Sequence, residues 1–131
     1  MRSTVMLYDE TIAGARSLAC ALDVRTAHIS VRDLIRERVY EEVQEYHCSA
    51  TDCYRGLVEP TQVERMLNGS TLHWRRQIDW KVQYHRALTA FERNAFFIIV
   101  GERQVTSLDE EIDLAHDTTI SFIKLVPLAG G

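Results

Sequence analysis

The sequence predicts a single α+β domain: one mixed β-sheet crossed by a helix, with a helical insertion at about 47–93. Three observations lead there. Apolar runs rich in β-formers stand near both ends of the chain, and helical periodicity with clear punctuation begins at residue 30. No repeat or low-complexity linker divides the 131 residues, a length that suits one domain.

Thr4 to Tyr8 read as the opening strand, and Asp9 to Gly14 as turn formers. Leu18, Cys20 and Leu22 alternate with small or polar neighbours, the period of a half-buried strand, so an antiparallel hairpin begins the domain. Ser30 with Asp33 then forms a capping box, flanked by Ile29 and Leu34 at staple positions. Val31, Leu34, Ile35, Val39, Val43 and Tyr46 recur at helical spacing, so a helix over 31–46 is apolar on one face. Its charged residues Arg36, Glu37, Arg38, Glu41 and Glu42 read as the solvated side.

In the insertion, Thr61 with Glu64 forms a second capping box, and Val63, Met66 and Leu67 give a short apolar face that ends at Asn68-Gly69. A longer helix is predicted over 76–93, with Asp79 capping its main body, Trp80, Tyr84, Ala87, Leu88 and Phe91 on one face, and Asn94 closing it. Phe96 to Val100 suits a central strand buried on both faces. A tight turn over 101–104 leads to Val105. Leu108, Ile112 and Leu114 pin a polar connection, and Asp117 begins a turn. Thr119 to Val126 is the final strand, stopped by Pro127, which cannot donate to a ladder.

Fifteen basic and 19 acidic residues give a net charge of −4, which does not point to nucleic acid or an anionic membrane as partner. No apolar run approaches the ~20 residues of a membrane helix, and residues 1–4 do not open a signal peptide, so a cytoplasmic location is expected. Three cysteines, an odd number, argue against a disulfide framework. His47, Cys48 and Cys53 are close in sequence, but a zinc site needs a second ligand pair that no segment supplies, so no metal is expected. His28, His47, His73, His85 and His116 are widely spaced, and no P-loop, nucleophile elbow or paired-histidine helix motif occurs. Independent catalysis is therefore not expected. The basic stretch Trp74-Arg75-Arg76, with Lys81, Arg86 and Arg93, reads as a solvated face; a dock for an acidic partner is the other option.

Gly130 and Gly131 stand out. Glycine is roughly 7% of average sequence, so a final Gly-Gly arises by chance in about one chain in two hundred. Such a pair packs nothing and costs chain entropy. Frayed ends are common, but two residues without side chains also suit a narrow enzyme channel leading to the α-phosphate of ATP.

The segment FFIIVGERQVTSLDEEIDLAHDTTISFIKLVPLAGG (96–131) resembles the second half of β-grasp, ubiquitin-like proteins, and its end is similar to the sulfur carriers of molybdopterin and thiamine synthesis. The opening hairpin and ISVRDLIRERV (29–39) are similar to that family's first strands and helix. With RGLVEP, RRQIDW and FERNAFF, the whole chain more closely resembles the modifiers of bacterial ubiquitination-like operons, several of them linked to phage defence.

The resemblance implies a ubiquitin-like domain over 1–131 with a tail at about 127–131. It implies adenylation of the Gly131 carboxylate by an E1-like activating enzyme that uses ATP, the modifier itself binding no cofactor. Transfer through an E2-like conjugating enzyme and release by a JAB-type protease would follow. Gly130, Ala129 and Leu128 would be recognised within the tail. The 47–93 segment has no counterpart in ubiquitin or the sulfur carriers, so their recognition surfaces do not carry over. A sulfur carrier ending in a thiocarboxylate and a non-covalent β-grasp interaction module are the alternatives. Only two lysines, Lys81 and Lys124, stand against thirteen arginines; Lys81 is expected to be exposed and is the candidate self-acceptor, whereas Lys124 is expected to be half buried.

Overall fold

Alternation along the first two strands sets up the sheet. In the computed structural model, which describes residues 3–48, 57, 78–114 and 119–125, strand β1 (Ser3–Thr11) pairs antiparallel with β2 (Arg16–Val24). The strand β1 is longer than the sequence suggests and runs through Asp9 and Glu10. The turn starts only after Thr11, whose N–H donates to the Ala15 carbonyl (2.9 Å) and whose hydroxyl accepts from the Ala15 N–H (3.1 Å). Gly14 sits at φ +94°, where an L side chain is strained.

The short strand β3 (His28–Ser30) leads into helix α1 (Val31–Cys48). The Asp33 N–H donates to Ser30 Oγ at 3.1 Å, which is the serine half of the predicted capping box. The N–H groups of Val31 and Arg32 donate to the carbonyls of Glu110 and Leu108, so a distant loop satisfies the rest of the helix start. Helix α2 (Trp80–Glu92) begins at Asp79, whose Oδ1 accepts from the Lys81 N–H at 2.9 Å. It starts later than the predicted residue 76, since Ile78 and Asp79 precede it as non-helical chain. It closes with Asn94 at φ +61°, while the Ala95 N–H reaches back to the Ala90 carbonyl, a Schellman end.

The strands β4 (Phe96–Val100), β5 (Arg103–Val105) and β7 (Ile120–Lys124) complete a mixed sheet of five strands in the order β2-β1-β7-β4-β5. The pair β1/β7 is parallel, and the other neighbours are antiparallel. Between β5 and β7, β6 (Glu111–Asp113) pairs with β3 in a separate two-stranded sheet that the sequence did not suggest. The fold is thus α+β, with two helices among the described residues.

One face of the large sheet carries the core. Val5, Leu7, Leu22, Phe96, Ile98, Val105, Ile120 and Phe122 pack against Val31, Leu34, Ile35, Val39 and Val43 of α1. Each large aliphatic or aromatic side chain removed from water contributes roughly 1.5–3 kcal/mol. Ile78, Ala87, Leu88 and Phe91 belong to the same cluster, so α2 completes the core; it is not an appendage beside it. In β4 only Phe96 and Ile98 are buried, and Phe97 and Ile99 are half exposed on the other face, so the strand is covered on one side, not both.

A bulge corrects the reading of β2. Leu7 is opposite Cys20 but Tyr8 is opposite Leu18, which leaves Ala19 without a partner. The extra residue moves Leu18 off the core face, and its side chain is 55% exposed while Leu22 is buried. The second capping box (Thr61, Glu64), the Asn68-Gly69 stop, and the expectations for Asp117 and Pro127 lie outside the described residues. No helix among the described residues is long and apolar enough to cross a membrane.

Candidate functional site

Leu128, Ala129, Gly130 and Gly131, the residues on which the sequence places activation and tail recognition, lie outside the described residues. Their root is described. The last strand, β7, is flanked on both sides, by β1 in parallel and by β4 antiparallel, and Lys124 at its end is level with Thr11 and Phe96. One residue further, the Leu125 N–H still reaches the Ala95 carbonyl (3.4 Å). Hydrogen bonding on both edges holds this strand more firmly than an edge strand, so the chain leaves from a fixed point in the middle of the sheet.

Beneath that point lies a charge cluster that the sequence reading missed. The charge pattern of α1 assigns Arg38 to the solvated face, but it is 1% exposed. Its guanidinium holds both oxygens of Asp9, at 2.7 and 2.9 Å, in the planar two-bond geometry that arginine suits best. Two further bonds, at 3.2 and 3.1 Å, go to Glu42 Oε2, and the Phe122 ring lies 4.4 Å away. The other oxygen of Glu42 accepts the N–H of buried Leu57 at 2.9 Å. Lys124 Nζ is 3.7 Å from Asp9 Oδ2. The cluster thus ties together the end of β1, one turn of α1, the chain at Leu57 and the end of β7.

Two signals in the sequence point to it. Arg38 and Glu42 continue the spacing of Leu34, so helical geometry puts them on the buried stripe and not opposite it. Asp9 follows Val5 and Leu7 at period two, so the strand aims it inward.

The chemistry of the cluster is electrostatic. Burial works against the Arg38 charge, but Glu42 and Asp9 outweigh it and hold the guanidinium above its ordinary pKa. Burial also raises Glu42, with Arg38 opposing. Nearby Cys20 is pushed up to about 11, mainly by burial, so its thiol stays protonated at neutral pH and is no nucleophile.

Lys81 is exposed in the first turn of α2, as expected of a self-acceptor. The Lys124 side chain is 31% exposed and engaged with Asp9. Of the residues weighed and set aside as a zinc site, His47 Nε2 accepts the N–H of Ile78 at 3.0 Å, and Cys53 lies outside the described residues. Among the described residues no group of three histidine, cysteine or acidic side chains is placed to hold a metal ion. The basic Trp74-Arg75-Arg76 is likewise outside them, while Lys81 and Arg93 are exposed. A groove of about 620 Å³ runs between the end of β2 and the first turns of α1. Its lining sets the carboxylates of Asp23, Asp33, Glu37 and Glu111 beside Arg25 and Arg36, a mixture of both signs in which acidic groups outnumber arginines.

Comparison with known proteins finds no family model, no characterised relative and no solved structure that matches the chain.

Proposed function

We propose that this chain is a ubiquitin-like protein modifier of β-grasp form. The observation that carries the proposal is the position of β7: the last described strand lies in the centre of the sheet, parallel to the first, and Gly130-Gly131 follows a few residues beyond it. That arrangement, with α1 laid over the core face, is compatible with a β-grasp and suits a protein handled by its end. A fixed root and a slender tail let an enzyme hold the body while the carboxylate enters its active site.

In the proposed reaction the Gly131 carboxylate attacks the α-phosphate of ATP on an E1-like enzyme, forming an acyl adenylate and releasing pyrophosphate. A cysteine thiolate then displaces AMP to form a thioester, which passes to an E2-like enzyme. A target amine or hydroxyl finally displaces that thiol. Cleavage by a JAB-type protease would return the free carboxylate. Each partner is used through the tail, so the domain itself needs no catalytic group and no bound cofactor.

The test is reconstitution with an E1-like activating enzyme and an E2-like conjugating enzyme, followed by intact-mass analysis. ATP-dependent adducts that a thiol reductant removes from the E2-like enzyme, but not from targets joined through amines, are expected. A product in which one carboxylate oxygen has been replaced by sulfur would identify a sulfur carrier instead. No activation at all would overturn both.

A further inference from the structure

The sheet order leaves β2 with a neighbour on one side only, and among the described residues no strand pairs with its free edge. At nine residues it is one of the two longest strands. Half of its backbone N–H and C=O groups point away from β1, which makes the edge a template for another strand. Proteins commonly blunt such edges with lysine, proline or a bulge. Here neither lysine nor proline occurs in Arg16–Val24, and the devices present are the bulge at Ala19 and the charges of Arg16 and Asp23.

The bulge has a geometric consequence. Opposite residues in an antiparallel pair share a face, so the β1 partners assign the faces of β2. Arg16, Leu18, Ala21 and Asp23 lie opposite Glu10, Tyr8, Met6 and Thr4, all on the outer face. Ser17, Cys20 and Leu22 lie opposite Asp9, Leu7 and Val5, on the core face. A regular strand would put Arg16 and Asp23, seven positions apart, on opposite faces. The extra residue shifts the phase and brings them to the same one.

We infer that β2 is the contact through which two copies of this chain pair, antiparallel about a two-fold axis, with Arg16 of each copy opposite Asp23 of the other. In that register Leu18 meets Ala21 on the outer face and Ser17 meets Leu22 on the core face, each pair occurring twice. The two bulges fall together at the axis. Registers shifted by two residues to either side place Arg16 against Ala21, or Asp23 against Leu18, and lose both charge pairs; the second also sets Cys20 of the core face against Ala21 of the outer face. A regular foreign strand cannot follow the shift in phase, whereas a second copy reproduces it.

Both charged residues are free to take part. Arg16 and Asp23 are exposed, and among the described residues neither has an ion-pair partner. Arg16 lies 4.0 Å above the Tyr8 ring and Asp23 accepts a bond from the Thr4 hydroxyl, contacts that hold each side chain close to the edge. Leu18, 55% exposed, would be covered by the second copy. A contact of one strand against another is small, so the dimer is a weak and reversible one.

The test is sedimentation equilibrium of the full chain, carried to roughly 1 mM, the weak end of the affinity scale. The wild type is expected to dimerise reversibly. Arg16→Asp and Asp23→Arg, each of which puts like charges together at both ends, should weaken the dimer about tenfold or more. An equimolar mixture of the two variants should recover wild-type association, because every cross-pair is then opposite in charge. Circular dichroism of each variant confirms that these exposed substitutions leave the fold intact, and amide exchange in β2 should slow as wild-type concentration rises. A wild type that stays monomeric throughout would overturn the pairing and leave the edge to an extended segment of another protein. Variants that associate like the wild type, or a mixture no better than its components, would overturn it equally.

Discussion

The strand β1 has two halves that face the core in different ways. Val5 and Leu7 are buried among aliphatic and aromatic neighbours from β2, β7 and α1. Asp9, next on the same face, takes up both donors of a buried arginine and a lysine at the end of β7. The apolar half gains free energy in proportion to area and tolerates small shifts. The ionic half gains little net energy, because desolvating three charges offsets most of their attraction, but its hydrogen bonds demand one geometry. The difference teaches that the molecule is stabilised at one end of β1 and positioned at the other, where the final strand delivers the chain toward Gly130-Gly131.

The largest effect expected from breaking this comparison is at Arg38. Arg38→Met leaves the partly buried carboxylates of Asp9 and Glu42 without their arginine and should cost up to about 3–5 kcal/mol in urea unfolding. Replacing all three charges, as Asp9→Leu with Arg38→Met and Glu42→Gln, whose amide oxygen can still accept the Leu57 N–H, should restore stability to near the wild type. If the ionic half serves position, that triple variant should still show faster amide exchange at Lys124 and Leu125. A triple variant as unstable as Arg38→Met alone would mean that the cluster is a true source of stability. In the apolar half, Leu7→Ala should cost about 2–5 kcal/mol, with no change in exchange confined to the end of β7.

Most of the architecture could be read locally. The capped helix α1, the end of α2 at Asn94 and the apolar run of β4 are each fixed by residues within one or two turns of each other. What escaped depends on distant partners. The strands β3 and β6 are three residues each and acquire meaning only by pairing between distant stretches of sequence, His28 with Asp113 and Ser30 with Glu111. The bulge at Ala19 is defined by β1, not by β2 itself. Arg38 and Glu42 were judged by charge type, which usually marks solvent, although their spacing had already placed them on the buried stripe. The exposure of Lys81 was legible because an exposed helix position needs no partner; the cluster at the end of β7 was not, because it is assembled from four separate stretches of chain.

Protonation sharpens the contrast further. Burial raises the pKa of Glu42 in the folded state, so the folded chain holds that proton more tightly than the unfolded one. Stability tied to the protonated carboxyl is full below the ordinary glutamate range and is lost as pH rises through the folded value. The stability advantage of the wild type over Glu42→Gln should therefore shrink as pH rises from the ordinary glutamate range upward, measured as urea midpoints across a pH series. An advantage that widens over the same interval would show that the attraction of Arg38 exceeds the cost of burial. The smallest effect belongs to Lys124, whose partly exposed contact with Asp9 is worth under about 1 kcal/mol. Lys124→Met should barely move the urea midpoint, and a large loss would mean that the lysine belongs to the buried cluster.

The central claim, that a stable body presents a tail which alone is chemically used, is tested most directly by removing the last two residues. A chain ending at Ala129 should unfold at a temperature within about 1 °C of the full chain, since a glycine pair buries almost no apolar surface. In the reconstituted system it should form neither adenylate nor adduct. A truncated chain that unfolds normally and still forms ATP-dependent adducts would contradict the account.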